Sequence, residues 1–147
     1  MNQFEPKQIL EGYNPHTNQI EEGEIKKVKV TFQIKQQMIT GYTLDLVNKN
    51  GDVLTNDDLE RFNDLSWSDL YRQKNNLLTS GEIKNIREKR HLTQEGLAKF
   101  LELGKKDIAR YENGAIQTKV IDLLLRLVDD DASFVQMSRV FKEASIH

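Results

Sequence analysis

Between Leu77 and Val128 the sequence sets helix-start and helix-stop signals so close together that only short helices fit between them. Thr79-Ser80-Gly81-Glu82 matches a capping box: Thr79 accepts the N–H three residues on, and Glu82 reaches back to the N-cap amide. Ile83 and Ile86, followed by Arg90, mark the helix that follows, with an end near Lys89. Thr93 caps a second helix whose inner face is Leu97, Ala98 and Leu101. A third is expected from about Lys105 to Asn113, with Ile108 and Tyr111 inward and Asn113-Gly114 as a left-handed stop. A fourth, about Thr118 to Val128, carries Val120, Ile121, Leu124, Leu125 and Val128. A last one, about Ala132 to Ala144, carries Phe134, Val135, Met137, Val140 and Phe141, enough to close a core or form a dimer seam. Asp129-Asp130-Asp131 reads as a helix break with N-caps, because companion ligands for a divalent cation are missing. The expectation is a small all-α domain over residues 77–147.

The front of the chain follows a different period. Val28, Val30, Phe32 and Ile34 alternate with Lys27, Lys29, Thr31 and Gln33, which predicts a half-buried strand. After the polar break Lys35-Gln36-Gln37, Tyr42, Leu44 and Leu46 alternate with Thr43 and Asp45 as a second strand. Asn50-Gly51 marks a turn, and Val53-Leu54 adds a short third strand. Helix is expected from Thr55 as N-cap, with Asp57 and Asp58 favoured by the dipole in the first turn. A second helical piece through Trp67, Leu70 and Tyr71, capped by Ser66 or Ser68, should end at Asn75-Asn76. The absence of Pro and Gly between Gly51 and Gly81 predicts a helical connection into the next module. Residues 1–24, with turn chemistry at Asn14–Asn18 and crowding of Glu21, Glu22 and Glu24, read as weakly ordered. The fold class is therefore α+β: a weakly ordered segment over 1–24, a small sheet module with a helix over 25–76, then the five-helix domain.

Charge divides along the same line. Residues 1–70 hold 7 Lys/Arg against 12 Asp/Glu, a balance of −5, and residues 71–127 hold 12 against 7, a balance of +5. The basic block is the candidate surface for a polyanion. The sequence has no cysteine, which excludes disulfides, thiolate zinc sites and cysteine nucleophiles and points to a reducing, cytoplasmic compartment. No apolar run is long enough for a membrane helix, and Met1–Leu10 lacks the pattern of a secretion signal. His16, His91 and His147 are widely separated, and Gly96 and Gly104 are isolated, so neither a histidine metal pair nor a phosphate loop is present. An enzyme or metal site within residues 1–70 would have only His16, carboxylates and hydroxyls to work with. No catalysis, metal or cofactor is expected.

Within the third helix, with Ile108 and Tyr111 inward, the outward residues are Lys105, Lys106, Ala109 and Arg110. Lys106 and Arg110 lie four apart on one face, and both are long donors suited to guanine O6 and N7; Ala109 suits a thymine methyl. Leu92-Thr-Gln-Glu-Gly-Leu-Ala98 followed by Ile108-Ala-Arg-Tyr-Glu-Asn-Gly114 is similar to the helix-turn-helix of the Cro/repressor-like (Xre) family. Together with Leu70–Arg87 and Arg110–Gln117, it resembles MqsA-type (YgiT-type) antitoxins of bacterial toxin–antitoxin modules, over roughly residues 70–128. The resemblance implies that Lys106 and Arg110 read bases, with Lys105 beside them, and that Gln94 contacts a phosphate at a helix N-terminus. Asn113 either reaches the DNA backbone or only caps the helix. Arg87 and Glu112 are implied to form a structural ion pair between the first and third helices of the domain. The family's front module usually binds zinc through two Cys-x-x-Cys pairs; this sequence lacks them, and its strands at 27–34 and 40–47 are expected to be a zinc-free counterpart. Glu102 and His91 stand where such domains usually place turn glycines, which predicts an altered turn after Leu101.

The resemblance implies a cytoplasmic, nucleoid-associated bacterial protein that dimerises on double-stranded operator DNA and represses its own operon. The acidic front module would neutralise a cognate toxin. The alternative is a plain Xre-family repressor from a phage or mobile element, in which the front module senses or oligomerises.

Overall fold

The computed structural model describes residues 3–146, with side chains to residue 141, so His147 lies outside it. The element order is β1 (Ile9–Asn14), β2 (Gln19–Ile34), β3 (Gln37–Val47), β4 (Val53–Leu54), α1 (Asp57–Lys74), α2 (Ser80–Lys89), α3 (Gln94–Phe100), α4 (Asp107–Glu112), α5 (Lys119–Asp129) and α6 (Asp131–Ile146). This is an α+β fold with an N-terminal antiparallel sheet. The chain divides into two compact units between Tyr71 and Arg72, inside α1 and not after residue 76.

Two expectations for the front half are corrected. Residues 9–24 are not weakly ordered, because they form β1 and the first third of β2, joined by the turn at Asn14–Asn18. Helix α1 is also one continuous helix, and its N-cap is Asn56, whose Oδ1 accepts the Leu59 N–H at 3.0 Å, not Thr55. Ser66 lies in its interior and caps nothing: its hydroxyl donates back to the Phe62 carbonyl at 2.9 Å.

In the first unit the strands pair in sequence order, and Tyr13 bridges Thr55, so the sheet closes on itself at one end. The register sets Leu10, Gly12, Gly23, Ile25, Leu46 and Leu54 on one face. There Ile25, Leu46, Leu54 and Leu59 form a core with Phe4, Leu10 and Leu44 against it. The glycines are required by space. A Cβ on Gly12 would stand 2.6 Å from Leu46 Cδ2 and 2.9 Å from the Thr55 carbonyl oxygen, and one on Gly23 would stand 2.9 Å from Leu46 Cγ. Farther along, β2 and β3 bury the opposite face: Ile39 is fully buried, and Phe32 meets Trp67 edge-on with ring centroids 4.7 Å apart. Helix α1 moves between the two faces by crossing the open edge of β3. Asn63 satisfies that edge, donating to the Leu44 carbonyl at 2.8 Å and accepting the Leu44 N–H at 3.0 Å.

In the second unit Leu78, Ile83, Ile86, Leu97, Ala98, Leu101, Ile108, Leu125 and Val128 form the core, with Phe134 and Met137 of α6 packed on it. Val120 is 69% exposed, because the stripe that α5 buries runs through Leu125 and Val128. Four helices stop in the same way. Asn76, His91, Glu102 and Gly114 take positive φ (56°, 56°, 58° and 117°). The next residue in each case donates its N–H to a carbonyl five back: Leu77 to Arg72, Leu92 to Arg87, Leu103 to Ala98 and Ala115 to Arg110. Glu102 thus adopts the left-handed conformation itself.

Candidate nucleic-acid interface

Helices α3 and α4 lie in series, joined by residues 101–106. Thr93 caps α3 by accepting the Gly96 N–H at 2.9 Å, which puts Gln94 at the first helical position. Helix α4 is shorter than expected and begins at Asp107. The chain turns just before it, where Gly104 N–H donates to the Asp107 carboxylate at 2.9 Å. Lys105 therefore sits in the turn, and Lys106 is the N-cap residue.

Ile108 is fully buried and Tyr111 half-buried, which anchors the inner side of α4. Burial, and then the charge of Asp107, push the Tyr111 hydroxyl above its ordinary pKa, against a smaller effect of Arg110. The outer side presents Lys105, Lys106 and Arg110, all exposed, with Ala109 half-buried between them. Lys106 and Arg110 are stacked one turn apart, and the Arg110 N–H bonds the Lys106 carbonyl at 2.9 Å. Arg110 pairs with Asp107 at 3.0 Å and Lys105 with Glu95 at 3.7 Å. Both pairs are solvated and hold their cations weakly. Lys84, Lys99 and Lys119 are exposed on neighbouring elements of the same unit.

Arg87 of α2 and Glu112 of α4 form a two-pronged pair, Nε–Oε2 2.8 Å and Nη2–Oε1 2.9 Å, with side chains only 13% and 7% exposed. The third nitrogen, Nη1, donates to the Leu92 carbonyl at 3.0 Å. Bonding to Glu112 raises the guanidinium pKa against the effect of burial. Gln94 joins this cluster, its amide donating to Glu112 Oε1 at 3.2 Å. Asn113 folds back to donate to the Ala109 carbonyl at 2.8 Å. In this structure Gln94 and Asn113 are engaged by α4 itself, while Lys105, Lys106 and Arg110 face solvent.

A second set of positioning residues escaped the sequence reading. Arg72 is fully buried and donates to the Tyr111 and Ala115 carbonyls at 2.7 Å each and to Gln117 Oε1 at 3.0 Å. Gln117 in turn donates to the Leu78 carbonyl and to Asp122. Burial pushes the Asp122 carboxyl up, but the Leu78 N–H, Arg126 and Gln117 together outweigh it and hold the pKa below its ordinary value. The end of α4 is thus gripped from two sides. Nothing local in the sequence signals Arg72 or Gln117 as buried, since both types are usually exposed.

A family model described as the antitoxin component of a bacterial toxin-antitoxin system, MqsA, matches residues 17–139. The chain belongs to the MqsA antitoxin family. No curated protein and no solved structure matches it. The zinc that MqsA front modules usually carry does not fit these residues. The sequence has no cysteine, and among the described residues no group of three or more His, Cys, Asp or Glu could hold a metal ion. The one polar knot at the closed end of the sheet is already satisfied. Glu21 accepts from Thr17, from Asn48 at 2.8 Å and from fully buried Asn14 at 3.0 Å, and these bonds hold its carboxyl below the usual range. In this MqsA-family chain, then, side-chain amides tie together the loops at that end. No helix among the described residues is long and apolar enough to cross a membrane.

Proposed function

We propose that the helical unit binds operator DNA as a homodimer and represses its own operon, and that the sheet unit binds and neutralises a cognate toxin. Both actions are binding, with no covalent chemistry. The observation that carries the reading is α4. Its inner side is locked by Ile108, Tyr111 and the Arg87–Glu112 pair, and its outer side offers Lys106 and Arg110 one turn apart to a major groove. In this reading α3 and α4 are the two helices of a helix-turn-helix. Lys105 and Ala109 flank the base-reading pair. Gln94 and Asn113 exchange their contacts within the protein for phosphates when DNA arrives.

One short helix reads only a few base pairs, so two copies about 34 Å apart are needed to read a palindrome. The exposed Leu123 of α5 and Val135 and Val140 of α6 support such a dimer. The test is fluorescence anisotropy on the promoter DNA of the chain's own operon. Arg110→Ala should cost about 1–3 kcal/mol of binding, and wild-type affinity should fall steeply with salt. Unchanged affinity in the variant with a flat salt titration would exclude this surface from DNA binding.

A further inference from the structure

The outward face of the closed end of the sheet carries apolar side chains that nothing in this unit covers. The register sets Ile9, Glu24, Val47 and Val53 in one row across all four strands, Glu11 opposite Glu22 in the next, and Tyr13 opposite Ile20 in the third. Ile9 is 57% exposed, Ile20 64%, Val53 53% and Tyr13 40%. Single exposed apolar side chains are ordinary, but three aliphatics and a tyrosine on one small sheet face make a patch of the kind that marks an interface. The face also carries an unfavourable pairing. Glu11 and Glu22 are directly opposed on adjacent strands, where like charges destabilise, and neither forms an ion pair among the described residues.

We infer that this face is the docking surface for the toxin, and that the toxin presents lysine or arginine side chains among apolar ones to it. The inference rests on the toxin-binding role proposed above and gives it a location and a chemistry. Charge selects the occupant. Nucleic acid is excluded by sign. A second copy meeting this face through a two-fold axis would set Glu11 and Glu22 against the same carboxylates. A second copy's basic helical unit would bind head to tail, which extends without closing. A distinct protein with a basic surface relieves the Glu11–Glu22 repulsion and covers Ile9, Tyr13, Ile20 and Val53 in one contact.

The experiment measures binding of the full chain to the purified product of the adjacent open reading frame by calorimetry. Wild type is compared with Glu22→Lys and Ile20→Ser. Glu22→Lys faces Glu11 with an opposite charge, so its melting temperature should equal or exceed that of wild type. Its affinity should nevertheless drop about a hundredfold, with weaker salt dependence, and operator affinity should stay unchanged. Ile20→Ser, which carries no charge change, should also weaken binding. If wild type binds and both variants bind equally well, this face is not the site, while the toxin-binding role stands. If wild type does not bind the neighbouring product, both the role and the inference fall. Self-association of wild type that Glu22→Lys abolishes would assign the face to a second copy and overturn the inference.

Discussion

In the sheet unit the inward positions of β1 and β2 are Leu10, Gly12, Gly23 and Ile25, and the core forms only where distant strands meet in register. In the helical unit most helix starts and stops are set within a few residues. Thr79, Thr93 and Thr118 cap helices through side chains, four helices end on a left-handed residue, and buried polar groups then tie the helices together. One unit is fixed by non-local fit and the other by local signals reinforced by polar cross-links. The two should therefore fail in different ways, and the chain's single tryptophan, Trp67 in the sheet unit, allows each to be followed separately.

The largest effect is expected at the cross-link. Glu112→Ala leaves the Arg87 guanidinium poorly solvated and without its charge partner. Loss of one partner from a buried pair costs about 3–5 kcal/mol, and this pair, being slightly exposed, should fall near the lower figure. Ellipticity at 222 nm should report a lower melting temperature while Trp67 fluorescence keeps its own transition. Gly12→Ala is the counterpart in the sheet unit. Its Cβ would meet Leu46 and the Thr55 carbonyl, and overpacking of this kind costs about 1–3 kcal/mol. Here the Trp67 transition should move and the helical one should not. If both probes shift together in both variants, the units unfold as one and the contrast is lost.

The same difference explains what the sequence disclosed. The helices after Leu77 were legible because capping and left-handed stops act within a few residues. Helix α4 was placed correctly but drawn too long, because the Gly104–Asp107 turn takes up the lysine that seemed to open it. Lys105, Lys106 and Arg110 could be located as an exposed set from the inward spacing of Ile108 and Tyr111 alone. Arg72 could not, because what buries it are the carbonyls of Tyr111 and Ala115, far along the chain. Strand β1 and the start of β2 were illegible for a related reason. Their inward face has glycine where a strand pattern needs an apolar side chain, and the Glu-rich outward face imitates a disordered segment. Alternation became readable only from Lys27 on, where valines appear.

Acid sharpens the comparison further. In the helical unit Asp122 has a folded pKa held below its unfolded value. A depressed carboxyl contributes stability that is present above the unfolded pKa and is lost as pH falls through the folded one. The helical unit should therefore weaken as pH drops below about 4, the ordinary aspartate range. Asp122→Asn should flatten that dependence while lowering stability at neutral pH, because it weakens the bonds from Leu78 and Arg126. An Asp122→Asn variant with the wild-type acid profile would move the effect to Asp130 and Asp131, whose pKa values are lowered by Ser133 and Arg90 respectively.

The smallest expected effect concerns Glu102, and its sign is what matters. At φ 58° it is one of four left-handed stops, and the other three are Asn76, His91 and Gly114. Asn and His tolerate this conformation better than most residues and glycine accepts it freely, so Glu102 is the poorest fit of the four. Its side chain is exposed, and its N–H bonds the Lys99 carbonyl at 3.1 Å through the backbone alone, so glycine keeps that bond. Relief of the left-handed strain is worth about 1–2 kcal/mol, and glycine's added freedom in the unfolded chain takes back part of it. Glu102→Gly should therefore raise the helical unit's stability by about 0.5–1 kcal/mol, seen as a higher denaturation midpoint with unchanged slope. The Trp67 transition should not respond. A loss of stability would mean that the turn between α3 and α4 depends on the glutamate side chain, and that this helical stop is not set by backbone conformation alone.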